Sequence, residues 1–129
     1  METTQNTYQA KAVQRYLRRA PRKLRLVADL VRGLSVEDAI NKLKFVNKAG
    51  ATDVSKVIRS AMANLEDKNE DMAFDASAVR IHTIMVDEGP TLKRIQPAPQ
   101  GRAHPIRKRM SHITVIVESK DELEELSEE

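Results

Sequence analysis

The sequence predicts an α+β fold: three helices packed on a small three-stranded antiparallel sheet, with a long protruding β-hairpin. Three observations lead to this prediction. Apolar residues recur at helical spacing between residues 21 and 65, and from residue 78 the apolar period changes to two. Between two stretches of period two lies a proline-rich segment, residues 87–111, which is long for a loop in a compact domain. Helices on one face of an antiparallel sheet are typical of α+β domains.

The first element is a short strand near the start of the chain. Tyr8, Ala10 and Ala12 alternate weakly with Gln9 and Lys11. This alternation indicates a strand that turns every second side chain towards the core.

Three amphipathic helices follow this strand. Pro21 suits the first turn of a helix, where its missing N–H costs nothing, and Gly33 suits the left-handed cap at the end. Ser35 followed by Asp38 has the pattern of a capping box and predicts the start of a second helix. A third helix begins near Gly50 and has the clearest apolar stripe: Val54, Val57, Ile58, Ala61 and Leu65. The polar residues 66–75 predict a loop.

Two further strands alternate in polarity. In the first, one face is predicted to carry Val79, Ile81, Thr83 and Met85, and the other Arg80, His82, Ile84 and Val86. In the second, one face carries Ile113, Val115 and Val117. We expect them to be neighbours in one antiparallel sheet.

The segment 87–111 holds four of the chain's five prolines, two of its four glycines and six Lys or Arg residues. Because predicted strands precede and follow this segment, the simplest structure for it is a projecting β-ribbon that turns near Gln100-Gly101-Arg102. Arms of about 12 residues, at roughly 3.3 Å each, would reach about 40 Å. Proline in the arms would stiffen the ribbon and limit edge-to-edge aggregation.

Charge is segregated along the chain. Residues 1–33 carry 8 basic and 2 acidic side chains, residues 34–86 carry 7 and 8, residues 87–113 carry 6 and 2, and residues 114–129 carry 1 and 7, which gives the overall +3. Two basic blocks on a small domain indicate a surface that binds phosphates. A solvated charged face is the alternative for either block alone.

Composition excludes several classes of protein. No apolar run approaches the roughly 18–20 residues of a membrane-spanning helix. The first residues lack the basic start and apolar stretch of a signal peptide, so we expect a cytoplasmic protein. The absence of cysteine excludes a disulfide framework, a thiolate zinc site and a cysteine nucleophile.

The candidate catalytic and metal-ligating residues are few. His82, His104 and His112 lack HxxxH or HExxH spacing, although His82 and His112 could pair across the predicted sheet. Asp87 and Glu88 are consecutive in a strand and therefore point to opposite faces, which is poor geometry for shared acid–base work. No phosphate-binding glycine loop is present. We expect no enzyme activity, no metal and no cofactor.

The basic hairpin suits insertion into a folded, densely anionic partner, and structured RNA fits best. Proteins that read single-stranded RNA usually stack its bases on aromatic rings. The chain has only Tyr8, Tyr16, Phe45 and Phe74, and none of them lies in the hairpin segment. Contact with phosphates and RNA shape by Arg and Lys is therefore favoured over reading of individual bases.

Two stretches carry a specific resemblance to a known family: VDEGPTLKRIQPAPQGRAHPIRKRMSHITVIV, residues 86–117, and RRAPRKLRLVADLVRG, residues 18–33. Together with the order of elements, they resemble bacterial large ribosomal subunit protein twenty-two over roughly residues 8–118. Members of this family bind large-subunit rRNA and line the exit tunnel of the nascent polypeptide. The stretches Ala98-Pro99-Gln100 and His104-Pro105 depart from the family by being less basic.

The resemblance implies roles for individual residues. Those expected to bind rRNA are Arg15, Arg18, Arg19, Arg22, Lys23, Arg25, Arg107, Lys108, Arg109, Ser111 and His112. Those expected at the hairpin tip are Gln100, Gly101, Arg102 and Ala103. Those expected on the strand that approaches the tunnel constriction, a region linked to macrolide sensitivity, are Leu92, Lys93 and Arg94. Expected partners are large-subunit rRNA, neighbouring large-subunit proteins and the nascent polypeptide.

We expect residues 1–118 to form a single rRNA-binding domain that includes the hairpin 87–111, followed by an acidic tail, residues 119–129, that is disordered or a frayed helix. The expected function is that of a structural constituent of the large ribosomal subunit that supports its assembly. Two alternatives remain: a free regulatory RNA-binding protein whose acidic end inhibits the basic arm, and an enzyme that uses His82, Asp87 and His112.

Overall fold

The computed structural model describes residues 5–70, 72–97, 99–101 and 103–122. The elements, in chain order, are β1 (Gln5–Leu17), α1 (Pro21–Val31), α2 (Val36–Lys44), α3 (Gly50–Lys68), β2 (Arg80–Pro97), a short 3₁₀ turn (Pro99–Gly101) and β3 (Ala103–Glu122). The strands form an antiparallel sheet in the order β1-β3-β2, which confirms the predicted α+β fold. Among the described residues, no helix is long and apolar enough to cross a membrane.

The hydrophobic core lies between the three helices and one face of the sheet. The predicted stripe of α3 is buried there, with the predicted inward residues Ile113, Val115 and Val117 of β3. Other buried residues of the helices and of β1 are Leu24, Val27, Ala28 and Val31 of α1, Val36, Ala39 and Leu43 of α2, and Ala10 and Ala12 of β1. The other face of the sheet is open, because the helices are packed on one side only.

The ends of the helices follow the predicted local chemistry. Pro21 begins α1, and Gly33 has a φ of 82° just after this helix ends. The Ser35 hydroxyl oxygen accepts a hydrogen bond of 3.2 Å from the Asp38 N–H and so caps α2. The third helix continues to Lys68, three residues into the predicted loop.

The predicted face assignment of β2 is wrong after Ile81. Ile81 pairs with Val117 and Thr83 pairs with Ile116, so His82 is an extra residue opposite a single step of β3. A β-bulge of this kind shifts the alternation by one residue. As a result Ile84 and Val86 are buried, whereas Met85 is 43% exposed on the open face.

The outer edge of β2 is closed by arginine side chains from α1. Arg25 donates from Nε and Nη2 to the Val86 carbonyl oxygen at 3.2 and 3.0 Å. Arg32 donates from Nη1 to the Ile84 carbonyl oxygen at 2.7 Å. Unpaired carbonyl groups at a sheet edge invite pairing with another chain, and these bonds occupy two of them.

The outer edge of β1 is closed in the same way from α3. The Asn64 side-chain amide donates to the Lys11 carbonyl oxygen at 2.9 Å, and Lys68 Nζ donates to the Gln9 carbonyl oxygen at 3.2 Å. Asn64 and Lys68 are four residues apart and therefore lie on the same side of the helix. Both edges of the sheet thus receive side-chain donors from a helix.

The predicted hairpin is confirmed, because β2 and β3 stay paired from Asp87 opposite His112 out to Pro97 opposite Ala103. At roughly 3.3 Å per residue, ten residues of strand extend about 33 Å. The turn contains Gln100 and Gly101, both with positive φ, 66° and 76°. Arg102, predicted at this turn, lies outside the described residues.

The predicted boundary between domain and tail at residue 118 falls inside a strand. β3 continues to Glu122, where it pairs with Gln5, and the side chain of Ser119 is buried. The acidic composition of residues 119–122 suggested a tail, but the backbone there finds a partner in residues 5–8. Residues 123–129 lie outside the described residues.

The turn that leads into β2 is held by an aspartate. The Ser77 N–H donates to Asp75 Oδ1 at 3.0 Å, and the Val79 N–H donates to the Asp75 carbonyl oxygen. The hydrogen bonds from Ser77 hold the pKa of the Asp75 carboxyl below its ordinary value of 3.8, because they stabilise the charged form.

Two isoleucine-to-alanine variants, one in the core and one on the protruding arm, should differ in their free energy of unfolding. Ile113 is fully buried, so Ile113→Ala should lower the free energy of unfolding by about 2–5 kcal/mol, measured by urea denaturation. The control Ile95→Ala removes the same atoms from a residue that is 76% exposed and should change stability by less than about 0.5 kcal/mol. Equal losses would mean that the arm is part of the folded core.

Candidate nucleic-acid interface

The two basic blocks of the sequence meet where the hairpin leaves the body of the protein. The Ser111 hydroxyl donates to the Arg19 carbonyl oxygen at 2.7 Å, which joins β3 to the segment before α1. Pro21, the first residue of α1, lines the same depression as Arg107 and Arg109 of β3. We call the surface formed by residues 15–25 and by the adjoining part of the hairpin the basic surface.

The cations of the hairpin are distributed over both of its faces. Lys93 pairs directly with Arg107, and partners that are opposite each other in an antiparallel ladder share a face. These two, with Arg109, line the depression beside Pro21 and so face the helix side. Lys108 alternates with its neighbours and points to the opposite side, as does Arg94. The predicted rRNA-binding residues 107–109 therefore cannot all contact one flat surface.

The start of α1 contributes exposed cations next to an apolar groove. Arg18 and Lys23 form part of its rim, and Leu24 and Val27 are among the apolar residues that line it. Lys48, from the loop before α3, lies on the same rim. Sequence reasoning missed Lys48, because it is isolated in a near-neutral stretch and only the fold brings it beside residues 18–23.

Two of the predicted arginines are engaged within the protein. Arg19 Nε lies 2.9 Å from Asp53 Oδ2 in an ion pair, and Arg25 holds the Val86 carbonyl oxygen with two of its five N–H donors. Three donors of Arg25 remain for another acceptor. These contacts fix where the two guanidinium groups stand, which lowers the entropy lost when they bind an anion.

The remaining predicted cations have no carboxylate partner within the described ranges. Ion pairs form there only between Arg19 and Asp53 and between Arg32 and Asp29. The exposed cations without one are Arg15, Arg18, Arg22, Lys23, Arg107, Lys108 and Arg109. Their charge is not neutralised locally, so the basic surface carries a positive field that attracts polyanions.

Ser111 and His112 differ from the other predicted rRNA-binding residues. The Ser111 side chain is fully buried, and its hydroxyl is bound to Arg19. His112 accepts a hydrogen bond from the Tyr16 N–H at Nδ1, at 3.0 Å, and a Cβ at Gly89 would lie 3.2 Å from its Cε1 atom. Both residues therefore organise the base of the hairpin. Their direct contact with rRNA stays a prediction.

The base of the hairpin also carries a bulge. Glu88 pairs with Ser111, but Thr91 pairs with Arg109, so the Gly89-Pro90 step adds one residue on β2. Proline has no N–H to donate to a ladder, and glycine leaves room for the His112 ring. The bulge therefore sits where the ribbon departs from the three-stranded sheet.

The residues predicted near the tunnel lie along the outer part of the hairpin. Lys93 and Arg94 are exposed and Leu92 is half-buried on β2. Gln100, Gly101 and Ala103 are exposed at the tip, where the chain reverses. Their contacts with a tunnel remain predictions.

The alternative enzymatic centre is not assembled in the fold. His112 is opposite Asp87, whereas His82 lies in the bulge beside Val117, so the two histidines are not cross-strand neighbours as the sequence suggested. Within residues 5–70, 72–97, 99–101 and 103–122, no three acidic or histidine side chains meet in an arrangement that could hold a metal ion.

A known protein family matches the part of the chain that forms the basic surface and the hairpin. The model of the family described as ribosomal protein L22p/L17e matches residues 12–118, which include the hairpin and every basic residue of the two basic blocks except Lys11. The chain belongs to this family. The match ends at residue 118, although the β3 strand itself continues for four more residues.

Curated relatives agree over most of the chain. Large ribosomal subunit protein uL22 of Desulfitobacterium hafniense strain Y51 is 53% identical over 114 residues, which cover 88% of this chain and 97% of the relative. Large ribosomal subunit protein uL22 of Maridesulfovibrio salexigens is 50% identical over 109 residues, 84% and 96% of the two chains. The protein of the same name from Heliobacterium modesticaldum is 51% identical over 111 residues, 86% and 77%.

The buried hydrogen bond between Ser111 and Arg19 should stabilise the base of the hairpin. Ser111→Ala leaves the Arg19 carbonyl without its donor and should lower the free energy of unfolding by about 1–3 kcal/mol in urea denaturation. Ser60→Ala removes the same hydroxyl from an exposed position of α3 and should be nearly neutral. If both variants unfold at the same urea concentration, the bond does not hold the hairpin in place.

Proposed function

We propose that this chain is a structural constituent of the large ribosomal subunit that binds large-subunit rRNA through the basic surface and the hairpin. The observation that carries the proposal is the convergence of two basic blocks, distant in sequence, at the base of a protruding arm. The curated relatives are named as large ribosomal subunit proteins, which places this function in the bacterial cytoplasm with the ribosome. The function is non-catalytic, as the family is one of ribosomal proteins.

The distribution of charge on the hairpin supports insertion into RNA. A ribbon with Lys93 and Arg107 on one face and Lys108 on the other can meet phosphates on both sides. A protein that lies on the surface of an RNA needs cations on one face only. The arm therefore suits a channel between RNA segments, where its two faces are contacted at the same time.

The base of the arm sets the direction in which it projects. Ser111 connects β3 to the segment before α1, and Arg25 connects α1 to β2. Exposed cations such as Arg22 and Lys23 therefore keep a fixed position relative to Arg107 and Arg109. Binding of rRNA by these residues would orient the arm towards the interior of the subunit. Because binding at the base positions the body of the protein and the arm together, the protein would support assembly of the subunit.

The hairpin tip is proposed to reach the polypeptide exit tunnel. Gln100, Gly101 and Ala103 lie furthest from the helices, and the arm is about 33 Å long by strand geometry. Residues at this position would form part of the tunnel wall that the nascent polypeptide passes. Exposed surfaces away from the basic surface would contact neighbouring large-subunit proteins.

In the regulatory alternative the acidic end inhibits the basic arm, but residues 123–129 are too few to reach Arg109. β3 ends at Glu122 beside Gln5, whereas Arg109 lies 13 residues back along the same strand, or about 43 Å. Residues 123–129 can span at most about 25 Å. Deletion of residues 123–129 should therefore leave RNA affinity unchanged, and a clear increase would favour the regulatory protein. This deletion spares residues 119–122, which pair with β1.

Sedimentation of a cell extract through a sucrose gradient tests the proposed function directly. The protein should migrate with large subunits and remain bound after a moderate salt wash, because many buried contacts hold an integral component. A protein that stays at the top of the gradient would contradict the ribosomal function and favour a free RNA-binding protein.

Replacement of the three cations on the return strand tests the interface. The variant with Arg107→Ala, Lys108→Ala and Arg109→Ala should bind large-subunit rRNA at least about tenfold more weakly, with a salt dependence shallower by about 2–3 in log–log slope. The control variant with Lys42→Ala, Lys44→Ala and Lys56→Ala removes the same charge from exposed positions of α2 and α3. Equal losses in both variants would show that net charge, and not this surface, governs binding.

A further inference from the structure

The open face of the sheet carries a shallow depression beside the base of the hairpin. Lys11, Val13 and Arg15 of β1 line one side of it, and His112 of β3 lies across from them. Tyr16 is also part of its lining. Helices cover only the other face of the sheet, so this depression is open to a partner.

Tyr16 holds an unusual backbone conformation at this depression. Its φ is 56°, in the left-handed region that disfavours residues with a bulky side chain. The register of β1 against β3 shifts between Gln14 and Leu17, which places Tyr16 in an irregular step of the strand. A glycine would adopt this conformation at less cost. Because a tyrosine occupies this position at an energetic cost, we infer that its ring has a function.

A neighbouring histidine compensates for the strain and fixes the ring. The Tyr16 N–H donates to His112 Nδ1 at 3.0 Å. The two rings meet edge to face, with centroids 5.0 Å apart and planes at 90°. Despite these contacts Tyr16 remains 60% exposed. The result is an ordered aromatic ring that is open to solvent within the basic surface.

The other aromatic residues have different environments. Tyr8 packs against Phe74 with ring centroids 5.7 Å apart, next to the core. Phe45 is exposed, but it lies at the end of α2 and does not line this depression. Tyr16 therefore combines an exposed ring with adjacent cations, Arg15 on one side and Lys11 further along the strand.

We propose that Tyr16 is a stacking platform for an unpaired nucleobase of large-subunit rRNA, with Arg15 and Lys11 binding the phosphates that flank this nucleotide. The inference deepens the proposed rRNA-binding function and rests on it. Every base offers a flat face that can stack on a tyrosine ring, and a neighbouring cation neutralises the backbone. Two cations, Lys11 and Arg15, and one carboxylate, Asp87, line the depression. Its net positive charge favours a polyanion over an acidic or neutral protein surface.

The location gives the platform a defined role in binding. His112, which holds the Tyr16 backbone, follows Ser111, which holds Arg19. A stacked base would therefore contact the protein at the point where the hairpin leaves the sheet. One nucleotide at this point would fix the RNA against both the body and the arm.

Substitution of Tyr16 separates stacking from folding. Tyr16→Gly removes the ring and its edge-to-face contact with His112 but also relieves the positive φ. The two effects oppose each other, so the thermal stability should stay close to that of the unmodified protein. Its affinity for large-subunit rRNA should nevertheless fall by about 5- to 150-fold, the range expected for loss of one stacked base. Tyr16→Phe keeps the ring and should keep the affinity. Phe45→Ala, which removes an exposed ring elsewhere, should also bind normally.

Ultraviolet cross-linking of the unmodified full chain to the same rRNA gives a direct readout. A stacked ring should form a covalent adduct with a base, found by mass spectrometry on the peptide that contains Tyr16. Normal affinity of Tyr16→Gly, or cross-links to other residues with none at Tyr16, would overturn the platform. If Tyr16 is shielded in intact subunits but forms no RNA adduct, a protein covers it and the proposal is also overturned.

The measurements distinguish failure of the platform from failure of the rRNA-binding function. If the unmodified protein binds rRNA with a steep salt dependence and Tyr16→Gly does the same, only the platform is wrong. If the unmodified protein itself does not bind rRNA, the proposed function fails and the platform fails with it.

Discussion

The pairing of β3 with both other strands is the constraint on which the rest of the structure depends. β3 is the central strand, and its residues 111–122 pair with β1 on one side while residues 103–118 pair with β2 on the other. Where β1 ends, the β2–β3 ribbon continues alone and becomes the arm. The same strand therefore supplies core residues at one end and the exposed cations of the arm at the other. A change of its register would move every inward side chain to the wrong face.

The edges of the sheet are protected without additional strands. Arg25 and Arg32 occupy carbonyl groups along β2, and Asn64 and Lys68 occupy carbonyl groups along β1. These polar side chains also keep α1 and α3 in register with the strands that they cover. The arrangement allows a sheet of only three strands to end in water without offering a template for aggregation.

Much of the fold could be predicted from local rules in the sequence. Pro21, Gly33 and Ser35 mark helix ends by chemistry that needs no tertiary information, and the helical stripes are long enough to be unambiguous. The bulge at His82 could not be predicted, because it depends on how many residues the partner strand supplies. Both sets of alternate positions in residues 79–86 contain apolar side chains, so the sequence alone does not show which set faces the core after His82.

The candidate site was predictable in composition but not in arrangement. The basic blocks predict that Lys23 and its neighbours form an RNA-binding surface, yet only the fold sets Lys48 beside Arg18 and Lys23. It also sets Ser111 in the interior and gives His112 a backbone donor to bind. Hydrogen bonds between residues about a hundred positions apart leave no periodic signal, so the sequence could not show these structural contacts. The family resemblance predicts rRNA contact for both side chains, and that stays a prediction.

The antiparallel pairing of β1 with β3 has a consequence for synthesis of the protein. Gln9 and Glu118, which are joined by a side-chain hydrogen bond, are 109 residues apart in the chain. During translation β1 leaves the ribosome first and has no strand to pair with until almost the whole chain has been made. The sheet therefore closes late, because both of its pairings need β3, and pairings between residues so far apart in the chain form slowly. In the interval β1 is an unpaired strand, a state in which a chaperone or early contact with RNA would protect it.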